Sequence, residues 1–325
     1  MRTRKMRNRM LLRSFVLAGL GALVVAVAAF QLSYGVPVFV GVPALLGFFS
    51  IWPQWPDQES EDLPSVAWSL MPVAMWALLV IMIRLEGIVC LVMAAPLAIP
   101  FALIGGKVAQ RLNRRKSAKR KVSVMGALGL ALLVPGGIIW GPHGPSHQVF
   151  RVSTSIVIDA PPEVVWRHIA TVPTLPPPKN VLFRAGLAYP TSTEMDGSGV
   201  GAARRCILST GTMDETVTDW EPGRLLRFDV RSTPAAMTEL SPWPSIDPPH
   251  LHGYYESRQG EFRLTALSGG RTRVDGTSWY QHGLEPAQYW RLWSDYVVRL
   301  VQRRVLENVK KLSEEDIGRT TAAKR

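Results

Sequence analysis

The sequence predicts two parts: an α-helical membrane module of about five transmembrane helices and, after it, an α+β domain in which a curved antiparallel sheet lies over one long C-terminal helix. Three observations predict this arrangement. Residues 1–141 carry five apolar segments. The strand signals after residue 148 alternate apolar and polar positions. Residues 285–313 combine an apolar stripe with a charged opposite face, as an amphipathic helix does.

Five segments are candidates for crossing a membrane, since a helix needs about 20 apolar residues to cross the hydrocarbon core. They are residues 14–30, 36–52, Val66–Ile83, Gly87–Gly106 and Ser123–Trp140. The second segment is short and rich in glycine and proline, so a re-entrant segment there stays open as an alternative that would invert the orientation.

Basic residues predict the orientation of this module. Six lie between Arg2 and Arg13, and eight lie between Lys107 and Lys121. Short basic loops stay in the cytoplasm, and four crossings separate the two clusters, so both can be cytoplasmic. The sequence therefore predicts a multi-pass protein of the cell (inner) membrane, with a cytoplasmic N-terminus and an extracytoplasmic α+β domain. A signal peptide cleaved near Ala28 is the alternative to an uncleaved first helix.

The net charge of +12 is concentrated beside the predicted membrane helices. Residues 1–122 hold 15 basic and 5 acidic side chains, whereas residues 123–325 hold 22 basic and 20 acidic ones. Juxtamembrane Lys and Arg attract anionic lipid headgroups. The charge distribution therefore favours a membrane as a partner and argues against nucleic acid. Cys90 and Cys206 fall in different parts of the chain, so no disulfide is expected.

The domain boundaries follow from changes in composition. A Gly/Pro-rich linker is predicted at 142–147, the α+β domain at 148–315 and a disordered tail at 316–325. The first strand is predicted at Phe150–Ile158, where apolar and polar residues alternate. A short helix follows, with Asp159 able to cap its first turn.

The remainder of the domain is predicted to form further strands and one long helix at about Glu285–Ser313. The apolar residues of that helix recur every four positions at Trp293, Val297, Val301, Val305 and Val309, with Leu300 and Leu312 alongside. A sheet wrapped over this stripe leaves a gap that apolar side chains line. The sequence thus predicts an apolar concave gap between the sheet and the helix.

Two sequence blocks resemble a known superfamily. The segment SIVIDAPPEVVWRHIA at 155–170 and the block from GEFRLTALSGG to VLENVKKL at 260–312 are similar to the opening and the closing part of the START-like superfamily (SRPBCC; polyketide cyclase/dehydrase and lipid-transport proteins). The segment RLEGIVCLVMAAPLA at 84–98 is similar to bacterial membrane-anchored members. The resemblance implies a helix-grip fold with an internal cavity for hydrophobic ligands, but it implies no particular reaction.

The Pro-rich segment Ser232–Tyr255 interrupts the strands. Long loops in compact domains are often functional, so one interpretation is a lid over the cavity, and the other is a surface excursion. Arg204 and Arg205 are neighbours on a predicted strand, so one of them should face the concavity, where an arginine could hold a ligand carboxylate or phosphate. Two solvated arginines are the alternative.

The predicted ligand-binding residues are charged, imidazole and aromatic side chains near the gap: Arg205, Glu215, His250, His252, Trp279, Tyr280, His282, Tyr289 and Trp293. The three histidines with Glu215 could also bind a metal, but their spacing is not that of a compact metal motif, so neither a metal nor a cofactor is predicted. His282 and Tyr280 are the candidate catalytic residues if the domain is an enzyme.

Function follows from the predicted cavity and the membrane module. The leading hypothesis is a membrane-anchored domain, with no catalysis, that binds a lipid or other hydrophobic small molecule for transfer or sensing. The first alternative is a cyclase- or hydrolase-like enzyme acting on an apolar substrate in the same cavity. The second alternative is a structural or docking role at the membrane, with a protein partner that the sequence does not identify.

Overall fold

The structure, a computed structural model, describes residues 2–30, 35–52, 66–113, 148–243, 246, 248, 251 and 253–323. The chain divides into two compact units. The helical unit comprises Met1–Gly144, Glu239–His250 and Leu284–Pro286, and the α+β unit comprises Pro145–Thr238, Leu251–Gly283 and Ala287–Arg325. The predicted linker at 142–147 and the predicted fifth span at Ser123–Trp140 lie outside the described residues.

The helical unit contains four described α-helices. They are α1 (Arg2–Phe30), α2 (Val42–Ile51), α3 (Leu70–Met82) and α4 (Ile88–Asn113). A π-helical turn at Pro37–Gly41 leads into α2, and a 3₁₀ turn at Val66–Ser69 leads into α3. A cluster that includes Ala22, Leu46, Val73, Trp76 and Val80 forms the shared core of these helices.

Helices α2 and α4 approach each other closely through small residues. A Cβ atom added to Gly47 would overlap the backbone carbonyl of Ala102, and one added to Gly105 would overlap the carbonyl of Ala44. Glycines at such contacts let two helix backbones come close together. A larger residue at either position would push α2 and α4 apart.

One described helix is long and apolar enough to cross a membrane by length and composition, at Ile88–Leu112 within α4. Three other apolar helical stretches are shorter, at Ser14–Ala26, Pro37–Ile51 and Leu70–Met82. The second predicted span is a five-residue π turn followed by the ten-residue α2, which reaches roughly 22 Å at the rise of an α-helix. Since the hydrocarbon core is about 30 Å thick, the five-span module stays a prediction.

The α+β unit is built on one seven-stranded antiparallel sheet with the order β1-β7-β6-β5-β4-β3-β2. Its strands are β1 (Val149–Ile158), β2 (Pro190–Asp196), β3 (Ala203–Leu208), β4 (Gly211–Glu221), β5 (Leu225–Val230), β6 (Tyr255–Leu267) and β7 (Arg271–His282). The first and last strands pair, Val152 opposite Ser278. The predicted antiparallel sheet and first strand are confirmed.

Three described helices accompany the sheet: α5 (Pro162–Ala170), α6 (Val181–Arg184) and the long C-terminal α7 (Ala287–Ala323). The core includes Ile158 of β1, Leu226 of β5, Val274 of β7 and Leu306 of α7. We call the sheet face that carries Ile158, Leu226 and Val274 the inner face. The predicted α+β arrangement, a sheet packed on a long C-terminal helix, is confirmed.

Helix α7 packs through a stripe that coincides with the predicted one at Val309 and differs from it at the other buried positions. Its buried residues are Trp290, Val298, Gln302, Leu306, Val309 and Ser313, whereas Trp293, Val297 and Val301 are only half-buried. Gln302 can occupy the core because its amide bonds Thr154 Oγ1 at 2.7 Å, Ser278 Oγ at 3.0 Å and the Val152 carbonyl at 3.2 Å. A buried polar group that is fully hydrogen-bonded is tolerated, so the true stripe contains a polar residue.

Helix α7 also continues to Ala323 rather than ending near Ser313. The predicted disordered tail at 316–325 is therefore helical as far as Ala323. Asp316 Oδ2 is hydrogen-bonded to His168 Nε2 at 2.9 Å, and Ile317 packs against the core. Pairs of opposite charge four residues apart, Lys310–Glu314 and Lys311–Glu315, support this part of the helix.

The Pro-rich segment Ser232–Tyr255 is divided between the two units. Its first part belongs to the α+β unit, where Thr238 N donates to Gly186 O at 2.8 Å. Its middle part, Glu239–His250, belongs to the helical unit. There Trp243 Nε1 donates to Ile81 O at 2.9 Å, and Ile88 N donates to Leu240 O at 2.9 Å.

Candidate functional site on the inner face of the sheet

The most prominent polar feature of the inner face is a buried ion pair between neighbouring strands. Arg204 of β3 lies opposite Glu215 of β4, and each residue is 3% exposed. The Arg204 guanidinium donates to the Glu215 carboxylate from Nη1. It also lies 4.6 Å from the centre of the Phe228 ring, which belongs to the core.

The arginine is not fully satisfied by these contacts. Its Nη2 is 3.5 Å from Thr193 Oγ1, a long hydrogen bond. Its Nε has no hydrogen-bond partner among the described residues. A guanidinium carries five N–H donors, so this side chain keeps donor capacity that points into a buried apolar setting.

Burial decides the electrostatics of this pair and its neighbours. Desolvation raises the pKa of the Glu215 carboxyl above its ordinary range, and the Arg204 charge opposes part of that rise. Burial, reinforced by the Glu215 charge, raises the pKa of the Cys206 thiol to about 12. The Cys206 thiol is therefore protonated near neutral pH and is a poor nucleophile.

The raised pKa of Glu215 predicts a pH dependence of stability. The folded state holds this proton more tightly than the unfolded state, so the associated stability is present below the ordinary glutamate pKa and is lost as pH rises through the folded value. We expect the free energy of unfolding of the wild type to fall, relative to that of the Glu215→Gln variant, as pH rises, because glutamine does not titrate. Unfolding of both proteins across a pH series measures this, and a constant difference would contradict it.

A second polar group joins β7 to α7. Tyr280 is fully buried, and its hydroxyl donates to Asp295 Oδ1 at 2.5 Å. Arg291 Nε lies 3.4 Å from the other Asp295 oxygen, and the Tyr255 ring stacks on Tyr280 at 5.4 Å. Burial raises the pKa of both phenols. Tyr280 is thus held protonated with its hydrogen committed to Asp295, which suits it to positioning better than to general-base chemistry.

His282 lies beside this group. It is 1% exposed and stacks on the Phe150 ring at 4.9 Å and near the Tyr280 ring at 6.3 Å. The imidazole is thus packed against two aromatic rings. Of the predicted site residues, Glu215, Tyr280 and His282 are therefore brought to the inner face by alternate positions of their strands.

Two predicted site residues lie on the outer face of the sheet, away from the other candidates. Arg205 points away from the inner face: its side chain is 56% exposed and pairs with Glu194 at 3.3 Å. Trp279 is adjacent to Tyr280 on one strand, so it lies on the opposite face, where the Arg151 guanidinium is 5.4 Å from its ring. In both cases the neighbouring residue, Arg204 or Tyr280, is the one that faces inward.

The other predicted residues divide into two groups. Tyr289 and Trp293 lie on α7 and are half-buried, with the Tyr289 ring edge-on to Trp290 at 5.3 Å. His250 and His252 lie outside the described residues. Within the described part of the chain, no three His, Cys, Asp or Glu side chains come together as a metal site would require.

Sequence reasoning chose Arg205 rather than Arg204 of the neighbouring pair, and it missed the inward role of Asp295. A signal for Arg204 was present, since the two-residue turn Ser209–Thr210 joins β3 to β4 and sets Arg204 opposite Glu215. Asp295 was not among the predicted site residues. The pairing with Arg291 is present, but its bond to Tyr280 depends on packing between distant parts of the chain.

The fold and the inner face define the class of protein: a sheet gripping a C-terminal helix, with buried polar groups set among apolar ones. The chain belongs to the family described as polyketide cyclase / dehydrase and lipid transport, whose model matches residues 149–314. The START-like resemblance predicted from the sequence is confirmed. A comparison with curated proteins found no match.

Several solved structures are similar to about half of the chain. The ZhuI aromatase/cyclase of Streptomyces sp. R1128 is 16% identical, covering 52% of this chain and 96% of that one, with a TM-score of 0.34. A protein of Thermus thermophilus is 17% identical, covering 51% and 99%, with a TM-score of 0.34. A norcoclaurine synthase point mutant of Thalictrum flavum, in complex with a transition-state analogue, is 9% identical, covering 53% and 98%, with a TM-score of 0.32.

Proposed function

We propose that this chain is a membrane-anchored protein whose START-like domain binds a lipid or other hydrophobic small molecule, for transfer or sensing. The observation that carries the proposal is the apolar exterior of the helical unit. Among the described residues, fifteen of the twenty-two exposed large hydrophobic side chains lie between Leu11 and Val108. Soluble monomers rarely expose so much apolar surface in one region, so a lipid environment suits this unit.

Helix α4 supports the membrane anchor in particular. Its most apolar window runs within Ile88–Leu112, and only 22% of that window is buried inside the structure. Val92 is 61% exposed and Ile104 is 51% exposed. An apolar helix of spanning length with an exposed apolar surface is favoured in a bilayer over water.

Contacts of the Pro-rich segment support an even number of crossings between the α3–α4 turn and the α+β unit. Trp243 Nε1 bonds the Ile81 carbonyl, the Leu240 carbonyl accepts from Ile88 N, and the Arg84 guanidinium lies 4.6 Å from the Trp243 ring. These contacts support a membrane arrangement in which the turn between α3 and α4 and the insertion between β5 and β6 lie on the same side. If α4 crosses, a return crossing is needed before β1, and the apolar segment at 123–140 supplies a candidate.

Membrane orientation can be tested by labelling introduced cysteines. Basic residues near the N-terminus favour a cytoplasmic start, and the return crossing then leaves the α+β unit outside the cytoplasm. We expect a membrane-impermeant maleimide to label Val200→Cys, a site 70% exposed, in intact cells. Asn8→Cys should be labelled only after the membrane is permeabilised. The wild type controls for Cys90 and Cys206, and the reversed pattern would overturn this orientation.

Ligand binding can be tested with a long-chain alkyl diazirine probe on the full chain in detergent. We expect saturable photolabelling of peptides from β3 to β6, competed by an excess of the unlabelled alkane. Labelling of α1–α4 should be non-saturable, as for annular lipid, and serves as the internal reference. Labelling confined to the helical unit would contradict ligand binding by the START-like domain.

A further inference from the structure

The nitrogen atoms of the Arg204 guanidinium differ in how well they are hydrogen-bonded. Glu215 accepts from Nη1, Thr193 Oγ1 lies at the edge of hydrogen-bond distance from Nη2, and Nε has no partner among the described residues. The side chain is 3% exposed. A buried N–H without an acceptor is unfavourable, and more so when the group is charged. The position therefore calls for an acceptor oxygen.

The surroundings of Arg204 indicate where that acceptor comes from. The guanidinium lies over Phe228, and Cys206, a protonated thiol, is the next inward residue on β3. Val217, the next inward residue on β4 after Glu215, is apolar and 1% exposed. These groups offer no strong acceptor, so a ligand oxygen that reaches the inner face would complete the bonding of the guanidinium.

Charge decides which kind of oxygen fits. Glu215 already balances the Arg204 charge, and the pair is buried as a unit. A ligand carboxylate or phosphate would add a second negative charge beside Glu215, where low dielectric makes repulsion strong. An uncharged oxygen accepts the hydrogen bond without that repulsion, so it is preferred over the anionic ligand that an isolated buried arginine would favour.

We propose that Arg204 Nε donates to one uncharged oxygen, a hydroxyl or carbonyl, at the polar end of an otherwise apolar ligand. This inference rests on the proposed function of the START-like domain and specifies the chemistry of its ligand. The Phe228 ring contacts the guanidinium on one side. The ring also packs against Gly260, where an added Cβ would overlap the ring. Glu215 positions the guanidinium and excludes anions.

The test compares three photoreactive probes with the same alkyl chain on the full chain in detergent. One probe ends in a methyl group, one in a hydroxyl and one in a carboxylate, at a pH where the carboxylate is ionised. We expect the hydroxyl probe to label β3–β6 peptides with an affinity roughly tenfold to a hundredfold above the other two, as a hydrogen bond to a charged group supplies.

Two variants separate the roles of the pair. Glu215→Gln keeps an acceptor oxygen for Arg204 but removes the negative charge, so the carboxylate probe should overtake the hydroxyl probe. The double variant Arg204→Met with Glu215→Met removes the donor and the buried charge together, so the advantage of the hydroxyl probe should vanish. Hydrogen exchange of the β3 and β4 peptides verifies that each variant is folded.

The outcomes distinguish this inference from the proposed function. Saturable labelling of the inner strands with equal affinity for the methyl and hydroxyl probes would overturn the role of Arg204 while leaving hydrophobic ligand binding intact. A wild-type preference for the carboxylate probe would overturn the exclusion of anions. No saturable labelling of the inner strands by any probe would overturn the proposed function and this inference with it.

Discussion

Replacing Arg204 by methionine is expected to destabilise the α+β unit by about 3–5 kcal/mol, the usual effect of removing one member of a buried ion pair. Glu215 would stay 3% exposed without its partner, so it must either remain charged in an apolar setting or take up a proton. Hydrogen exchange of the peptides that span β3 and β4 in the full chain measures the local free energy of opening.

Two controls make this expectation specific to the pair. Arg205→Met changes the neighbouring residue, which is 56% exposed in its ion pair with Glu194, and should alter stability by no more than about 0.5 kcal/mol. The double variant Arg204→Met with Glu215→Met should recover most of the lost stability, because an apolar pair of similar volume often replaces a buried ion pair without loss. Equal effects at Arg204 and Arg205 would contradict the burial described above.

The first strand of the α+β unit could be predicted from the sequence because its apolar and polar residues alternate. Phe150, Val152, Thr154, Ile156 and Ile158 share the face that packs against α7, and their exposed neighbours share the other. Side chains alternate in any strand, so local pattern suffices there. The pairing of β1 with β7 connects residues far apart in sequence, so a local pattern does not predict it.

Register between strands is what the choice of inward-facing residues lacked. Choosing Arg204 over Arg205 needed the register of the β3–β4 hairpin, since a shift of one residue moves a side chain to the other face. The turn at Ser209–Thr210 supplies that register, with Leu208 opposite Gly211. The same alternation excludes Trp279 once Tyr280 is placed inward, so both corrections follow from local geometry that the sequence contained.

Packing between distant elements lies beyond such local rules. Gln302 interrupts the apolar pattern of α7, and it is buried only because Thr154 and Ser278 of two separate strands satisfy its amide. Likewise, Asp295 faces inward because Tyr280 meets it from β7. A helix whose buried face depends on polar partners from elsewhere cannot be oriented from its own periodicity.

The orientation of α7 leads to the second large expected effect. Leu306→Ala should destabilise the α+β unit by about 2–5 kcal/mol through lost apolar contact and the cavity left behind. Leu306 is fully buried and contacts the sheet near Gly276, where an added Cβ would lie 3.5 Å from Leu306 Cδ1. Thermal or denaturant unfolding of the full chain, followed by exchange of β7 and α7 peptides, measures the loss.

Leu292→Ala is the matched control, because it is the same substitution on the same helix at a residue 70% exposed. Its effect should stay within about 0.5 kcal/mol. Val301→Ala adds a second comparison, since Val301 belongs to the stripe predicted from spacing but is only half-buried. A loss at Val301 that matched the loss at Leu306 would mean that α7 packs through the residues spaced every four positions from Trp293, and that Gln302 does not belong to the core.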